Sequence, residues 1–244
     1  MPAGAHLIVE MKTKRNAKQP ATKAVPLYLS GAITKGVKAI LEGDAAQTAP
    51  FGWMRTPHMG NKVEPGPAWG ADTGCYSQKG ERAYNEERYF KWLSKQDAAT
   101  CLFATAPDRV GDSAVTLTRS VPVLPKIRKL GLPAGFVIQE GAEEPGYAIP
   151  WDDFDVLFIG GCTEEWKLSD GVAALVREAK RRGKWVHMGR VNTLTRYRGA
   201  MRMGCDSVDG TMLAWGPIKN LPKLRRWQAK LAAEAAQGEL ALVA

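Results

Sequence analysis

Two aspartates are the residues with most to offer as a pair. Asp72 opens Asp72-Thr73-Gly74, and Asp209 ends the run Asp206-Ser207-Val208-Asp209 ahead of Gly210. Two carboxylates on opposite sides of a sugar let one attack the anomeric carbon while the other handles protons. Their separation decides the roles, and position along a chain does not supply it. Each also has a plainer use: Asp72 as an Asx turn into Thr73-Gly74, and Asp209 as a cap before Gly210-Thr211. Asp108 and Gln139 carry donors and acceptors suited to the edge of a planar heterocycle. Gly160-Gly161 lacks side chains, so a flat base can approach its backbone amides. Met188 can form one wall of a stacking slot, although a strand methionine is ordinarily packing. Arg190 suits a phosphate or carboxylate, or else a surface ion pair. His187, a lone strand histidine, reads as a satisfied core residue.

These residues fall at the ends of short apolar runs. Seven runs, near 25–31, 67–74, 101–108, 135–141, 155–161, 184–191 and 205–211, have the length of strands buried on both faces. Helical patterns lie between them at 81–96, 113–131, 168–183 and 193–204, and a last one at 222–238. Pro122 and Pro125 break the second into two pieces. Ser169 before the third and Gly183 after it are a cap and a stop. Such alternation implies a parallel sheet with helices outside it. Neither G-x-G-x-x-G nor a Walker A motif is present. The expected fold is a compact (β/α)8-like TIM barrel, with one strand modified or missing. Residues 32–66 are too many for a simple connection and predict a short helix at 35–43 followed by an elaborated active-site loop. Residues 1–24 read as a flexible basic arm and 25–244 as one domain. In a barrel the strand ends meet on one face, so six polar or glycine-rich ends in succession point to a site there.

The 244 residues carry 34 Lys+Arg against 25 Asp+Glu, a formal net charge of +9, and 45% are hydrophobic. That composition excludes a wholly disordered chain, and no run approaches the roughly 20 apolar residues of a membrane span. Cys75, Cys101, Cys162 and Cys205 have no paired spacing. They read as small buried hydrophobes in a reducing, cytoplasmic setting, with no metal and no cofactor expected. Residues 177–202 hold nine Lys/Arg and one acid, and 219–230 adds five more, whereas 140–170 holds nine acids and Lys167. Segregation of this kind suggests a basic face for a polyanion.

Taken in order, ADTGCYSQ (71–78), APDRVGD (106–112), FVIQEG (136–141), FIGG (158–161), HMGRVNT (187–193) and GCDSVDGT (204–211) resemble the tRNA-guanine transglycosylase superfamily. The closer resemblance is to its phage and bacterial branch that places 7-deazaguanine bases in DNA, and it covers roughly residues 25–215. The resemblance implies Asp209 as the nucleophile on C1′ and Asp72 as general acid/base. It implies Asp108, Gln139 and the Gly161 amide as base-edge contacts, and Met188 as packing on the base plane. The sequence after Asp209 is GTMLAWGP, without the zinc-binding cysteines and histidine of the tRNA enzymes. The expected partners are therefore DNA and a free base such as 7-cyano-7-deazaguanine. The same exchange on tRNA, and a nucleic-acid-binding barrel without catalysis, are the alternatives.

Overall fold

The computed structural model describes residues 24–31, 37, 51–59, 67–75 and 84–237. Eight parallel strands close into a barrel in sequence order: β1 (Leu27–Ser30), β2 (Phe51–Arg55), β3 (Trp69–Ala71), β4 (Cys101–Thr105), β5 (Ala134–Ile138), β6 (Val156–Ile159), β7 (Trp185–Met188) and β8 (Ser207–Gly210). β8 returns to β1 with Asp209 in register with Leu29. β2 is the strand that the sequence does not show: its residues FGWMR fall in the segment 32–66 that reads as an elaborated loop. It contains a glycine, a charge and no β-branched residue, so only pairing with β1 and β3 reveals it. The arm at 1–24 lies outside the described residues save Ala24, and so does the helix at 35–43 apart from Val37, which is helical and buried.

Outside the barrel run α1 (Glu86–Leu93), α2 (Ser113–Ser120), α3 (Leu124–Lys129), α4 (Glu164–Lys167), α5 (Asp170–Arg181), α6 (Leu194–Met203) and α7 (Pro217–Ala236). Side-chain caps set five of their starts: Asn85 accepts from Arg88 N, Asp112 from Val115 N, Thr163 from Trp166 N, Ser169 from Val172 N and Thr193 from Arg196 N. The break between α2 and α3 holds Pro122, and Pro125 stands in the first turn of α3. α7 begins five residues earlier than its pattern suggested, with Pro217 in its first turn and Pro222 inside it.

Alternation along the strands sorts the core into two parts. Leu29, Met54, Phe103, Val137, Val156 and Phe158 fill the barrel interior. Tyr28, Trp69, Phe136, Leu157, Val186 and Val208 pack outward against the helices. At roughly 2–3 kcal/mol per buried large side chain, the packed interior is a floor and not a channel. Polar groups facing inward are therefore confined to the ends of the strands. No helix of the described residues is long and apolar enough to cross a membrane.

Candidate active site

Above this floor, at the C-terminal strand ends, Asp72, Gln139 and Asp209 occupy inward positions, and Asp108 follows β4 nearby. Asp209 is the most closely held. His187 Nε2 lies 3.0 Å from its Oδ1, and the Arg190 backbone N–H donates to the same oxygen at 3.3 Å. His187 is fully buried on the rings of Phe103 and Phe158, with centroids at 4.8 and 4.5 Å. Its Nδ1 lies 2.8 Å from Ser207 Oγ, which accepts from Trp185 Nε1 at 2.8 Å. That leaves the Ser207 proton for Nδ1 and puts the imidazole proton on Nε2, facing the carboxylate. Burial pushes the His187 pKa down, opposed by its bond to Asp209, so the ring is a neutral donor at neutral pH. His187 is indeed a satisfied core residue, as its sequence suggests, but what satisfies it is the candidate nucleophile. Two-residue spacing on β7 and β8 (Trp185/His187 and Ser207/Asp209) is the signal that could have found this chain.

The second donor to Asp209 depends on strain. Arg190 has φ 60°, the one positive-φ residue other than glycine among the described residues. A left-handed arginine costs about 1 kcal/mol, and here it turns the N–H toward Asp209. The Arg190 carbonyl accepts from Arg196 Nη1 at 2.6 Å. Behind Asp209, Gly210 has to be glycine: a Cβ there would collide with the Tyr28 hydroxyl and crowd the Val191 carbonyl.

Asp72 forms the Asx turn, with Gly74 N–H donating to Oδ1 at 2.8 Å. Burial holds its carboxyl above the ordinary carboxylate range, the nearby charge of Asp209 adds to this, and the Gly74 N–H opposes it. Asp108 is pushed up to about 7, first by burial and then by Asp72. Among the described residues neither forms an ion pair with Lys or Arg. The three carboxyls therefore share one field, and two of them favour holding a proton.

Gln139 departs from its expected part. Its Nε2 donates to Asp108 Oδ2 at 2.7 Å, and its Oε1 accepts from Gly111 N at 3.0 Å and Gly161 N at 2.9 Å. The buried amide thus joins the ends of β4, β5 and β6, and the Gly161 N–H is directed to Gln139 instead of toward a ligand. Gly161 takes φ 71°, and any Cβ there would strike the Trp166 ring. Met188 is a correction. It alternates with inward His187, so its side chain lies outward in the layer against the helices, fully buried, and cannot pack on a base at the barrel mouth. Gly189 takes the inward position beside Asp209 instead.

Lys167 stands in α4, a helix of four residues too short to show as a pattern in the sequence. It is fully buried, its Nζ donating to the carbonyls of Gly160 and, at 3.1 Å, Gly189. Burial pushes it down to about 8. β6–β7 pairing ends at Ile159 and Met188, and the lysine bridges the next residue of each strand. Both glycines are closely packed: a Cβ on Gly160 would meet Gln139 and Val137, and one on Gly189 would meet Phe158 and Asp209.

Two further expectations are corrected. Lys180, Arg181, Arg182 and Lys184 stand at the end of α5 and just before β7, on the rim opposite the site. There Lys180 pairs with Asp206 at 2.7 Å, and Arg181 and Arg182 with Glu178. This part of the basic segment 177–202 lies away from the site, because α5 carries it to the opposite rim. Of the cysteines, Cys75, Cys101 and Cys205 are buried but Cys162 is exposed. No cluster of three metal-ligating residues occurs among the described residues.

No protein-family model matches the chain, and no curated protein does. Among solved structures it is similar to a mutant tryptophan synthase alpha subunit from the hyperthermophile Pyrococcus furiosus. The TM-score is 0.54 at 12% identity, over 87% of this chain and 98% of that one. Tryptophan synthase from M. tuberculosis gives 0.52 at 14% identity, over 88% and 94%. The likeness is one of fold.

Proposed function

We propose that the protein is an enzyme that exchanges guanine in DNA for a 7-deazaguanine base through a covalent glycosyl intermediate. The observation that supports this best is the contrast between Asp209 and Asp72. Asp209 receives two donors on Oδ1, so Oδ2 is the oxygen for attack; Asp72 is buried where the protonated form is favoured. Asp209 attacks C1′, the C1′–N9 electrons leave with guanine, and Asp72 gives its proton to the departing purine. The incoming base then loses its N9 proton to Asp72. Its N9 attacks C1′ and releases Asp209 as a carboxylate. Asp108 is the remaining group placed to read a base edge, and its companion Gln139 fixes its direction. A base within duplex DNA has to leave the stack to reach Asp209.

The test uses wild-type protein, duplex DNA and labelled 7-cyano-7-deazaguanine, with tRNA as competing acceptor. Label is expected in DNA, and none with Asp209→Asn. Label in tRNA alone would make RNA the substrate. Full activity of Asp209→Asn would remove the nucleophile assignment.

A further inference from the structure

Four large apolar side chains are exposed among the described residues, and two stand well above the others. Trp215 is 77% exposed and Ile218 80%, against 38% and 37% for Val115 and Val121. Both follow β8, and Trp215 is six residues beyond Asp209, on the rim that holds the site. The loop that displays it is well fixed. Trp215 N–H donates to the Thr211 carbonyl at 3.1 Å, and Asn220 Nδ2 donates to the carbonyls of Met212, at 2.8 Å, and Trp215. Thr211 N–H donates to Asn192 Oδ1 at 2.8 Å, and Met212 and Leu213 are buried. The backbone that carries the indole is thus held, while the large apolar ring is left in water.

Beside this pair runs a basic row. Lys219, Lys223, Arg226 and Lys230 are all exposed and lie four, three and four residues apart on α7, so they share one helix face. They span about 16 Å, close to five base steps along one DNA strand. Glu234, the one acid of α7, is held by Arg198 at 2.7 and 2.8 Å and leaves the row's charge in place. A membrane-lying helix would need a continuous apolar face toward lipid, but Leu221, Leu224 and Leu231 of α7 are buried in the protein. Two apolar side chains beside a line of cations fit a base stack and its phosphates instead.

We propose that Trp215 and Ile218 form a wedge that enters the base stack of duplex DNA next to the nucleotide drawn to Asp209. The Lys219–Lys230 row holds the backbone of the same duplex. The wedge rests on the base-exchange reading, because a nucleotide withdrawn into the site leaves a gap that something has to fill.

The experiment compares wild type with a Trp215→Ala/Ile218→Ala double variant, both checked for an unchanged melting temperature. Binding is read from the anisotropy of a fluorescein-labelled 20-base-pair duplex with one mismatch, and of its single strand. Exchange is followed on the same two DNAs. The variant is expected to bind the duplex roughly 10- to 100-fold more weakly and to exchange on it at least about tenfold more slowly. On the single strand, which has no stack to open, it should stay within about threefold of wild type. A Lys219→Ala/Lys223→Ala variant should lower the slope of log affinity against log salt by about 2. Equal losses on duplex and single strand, or wild-type duplex binding by the double variant, would overturn the wedge. So would Trp215-dependent pelleting with phosphatidylserine vesicles joined to Trp215-independent DNA binding. If no base is exchanged but the binding pattern holds, base exchange fails and the wedge stands; exchange with unchanged binding has the opposite meaning.

Discussion

At the N-terminal rim of the barrel, Asp155 takes both arms of Arg128, at 2.9 and 3.1 Å, and the Ala134 N–H. Asp206 likewise takes Lys180 on both oxygens and the Val186 N–H at 2.8 Å. At the C-terminal rim Asp72 and Asp108 have no such cation among the described residues, and burial drives both toward the protonated form. Aspartates stand at strand ends on both rims, yet one set is neutralised and braces the fold. The other is buried without a paired cation among the described residues. That arrangement costs stability, and it is what proton transfer and nucleophilic attack require.

The comparison breaks if substitutions on the two rims have similar consequences. Asp209→Asn should slow base exchange by at least roughly 10³-fold, about 4 kcal/mol in the barrier, with the melting temperature kept or raised. Next comes His187→Phe, which keeps the packing on Phe103 and Phe158 and removes the donor to Asp209. A fall in kcat on the order of 10²-fold with little change in KM is expected. His187→Gln, whose amide can still donate, should recover much of it. On the opposite rim, Asp206→Ala leaves Val186 N–H and Lys180 without the carboxylate. Chemical denaturation should show a loss of about 2 kcal/mol, with kcat per folded molecule unchanged.

The smallest effect sharpens the contrast through pH. Asp108 binds its proton up to about pH 7 when folded but only to 3.8 in the unfolded chain. Between those values the folded state holds more protons, so wild-type stability falls as pH rises through this window. Asp108→Asn avoids that cost. It should gain about 1–2 kcal/mol over wild type at pH 8 and almost nothing at pH 4, seen as a melting-temperature difference that grows with pH. A difference that shrinks with pH would place Asp108 with the neutralised aspartates.

Most of the barrel was legible because parallel strands buried on both faces are near-continuous apolar runs, and Ser169 and Gly183 bounded α5 as such residues should. β2 was not legible, since Gly52 and Arg55 disguise a strand that only its neighbours define. At the site, Asp72, Asp108, Gln139 and Asp209 could be listed from their places at strand ends. Their bonds to one another could not. Gln139 bonding to Asp108 and Gly161, and Lys167 reaching the Gly160 and Gly189 carbonyls, depend on four strands, β4 to β7, closing side by side. Met188 was misjudged by a single step of alternation, which exchanges inside for outside. The left-handed backbone of Arg190 leaves no mark in residue type at all.

In the proposed reaction the Asp209 carboxylate bonds to C1′ of the target nucleotide. Wild-type protein mixed with a guanine-containing duplex, without a free replacement base, and quenched in denaturant can be digested and weighed. An ester of the guanine-free DNA is expected on the peptide containing Asp209, lost on adding 7-cyano-7-deazaguanine before the quench. A DNA adduct on any other residue, or exchange proceeding with no adduct at all, would contradict it.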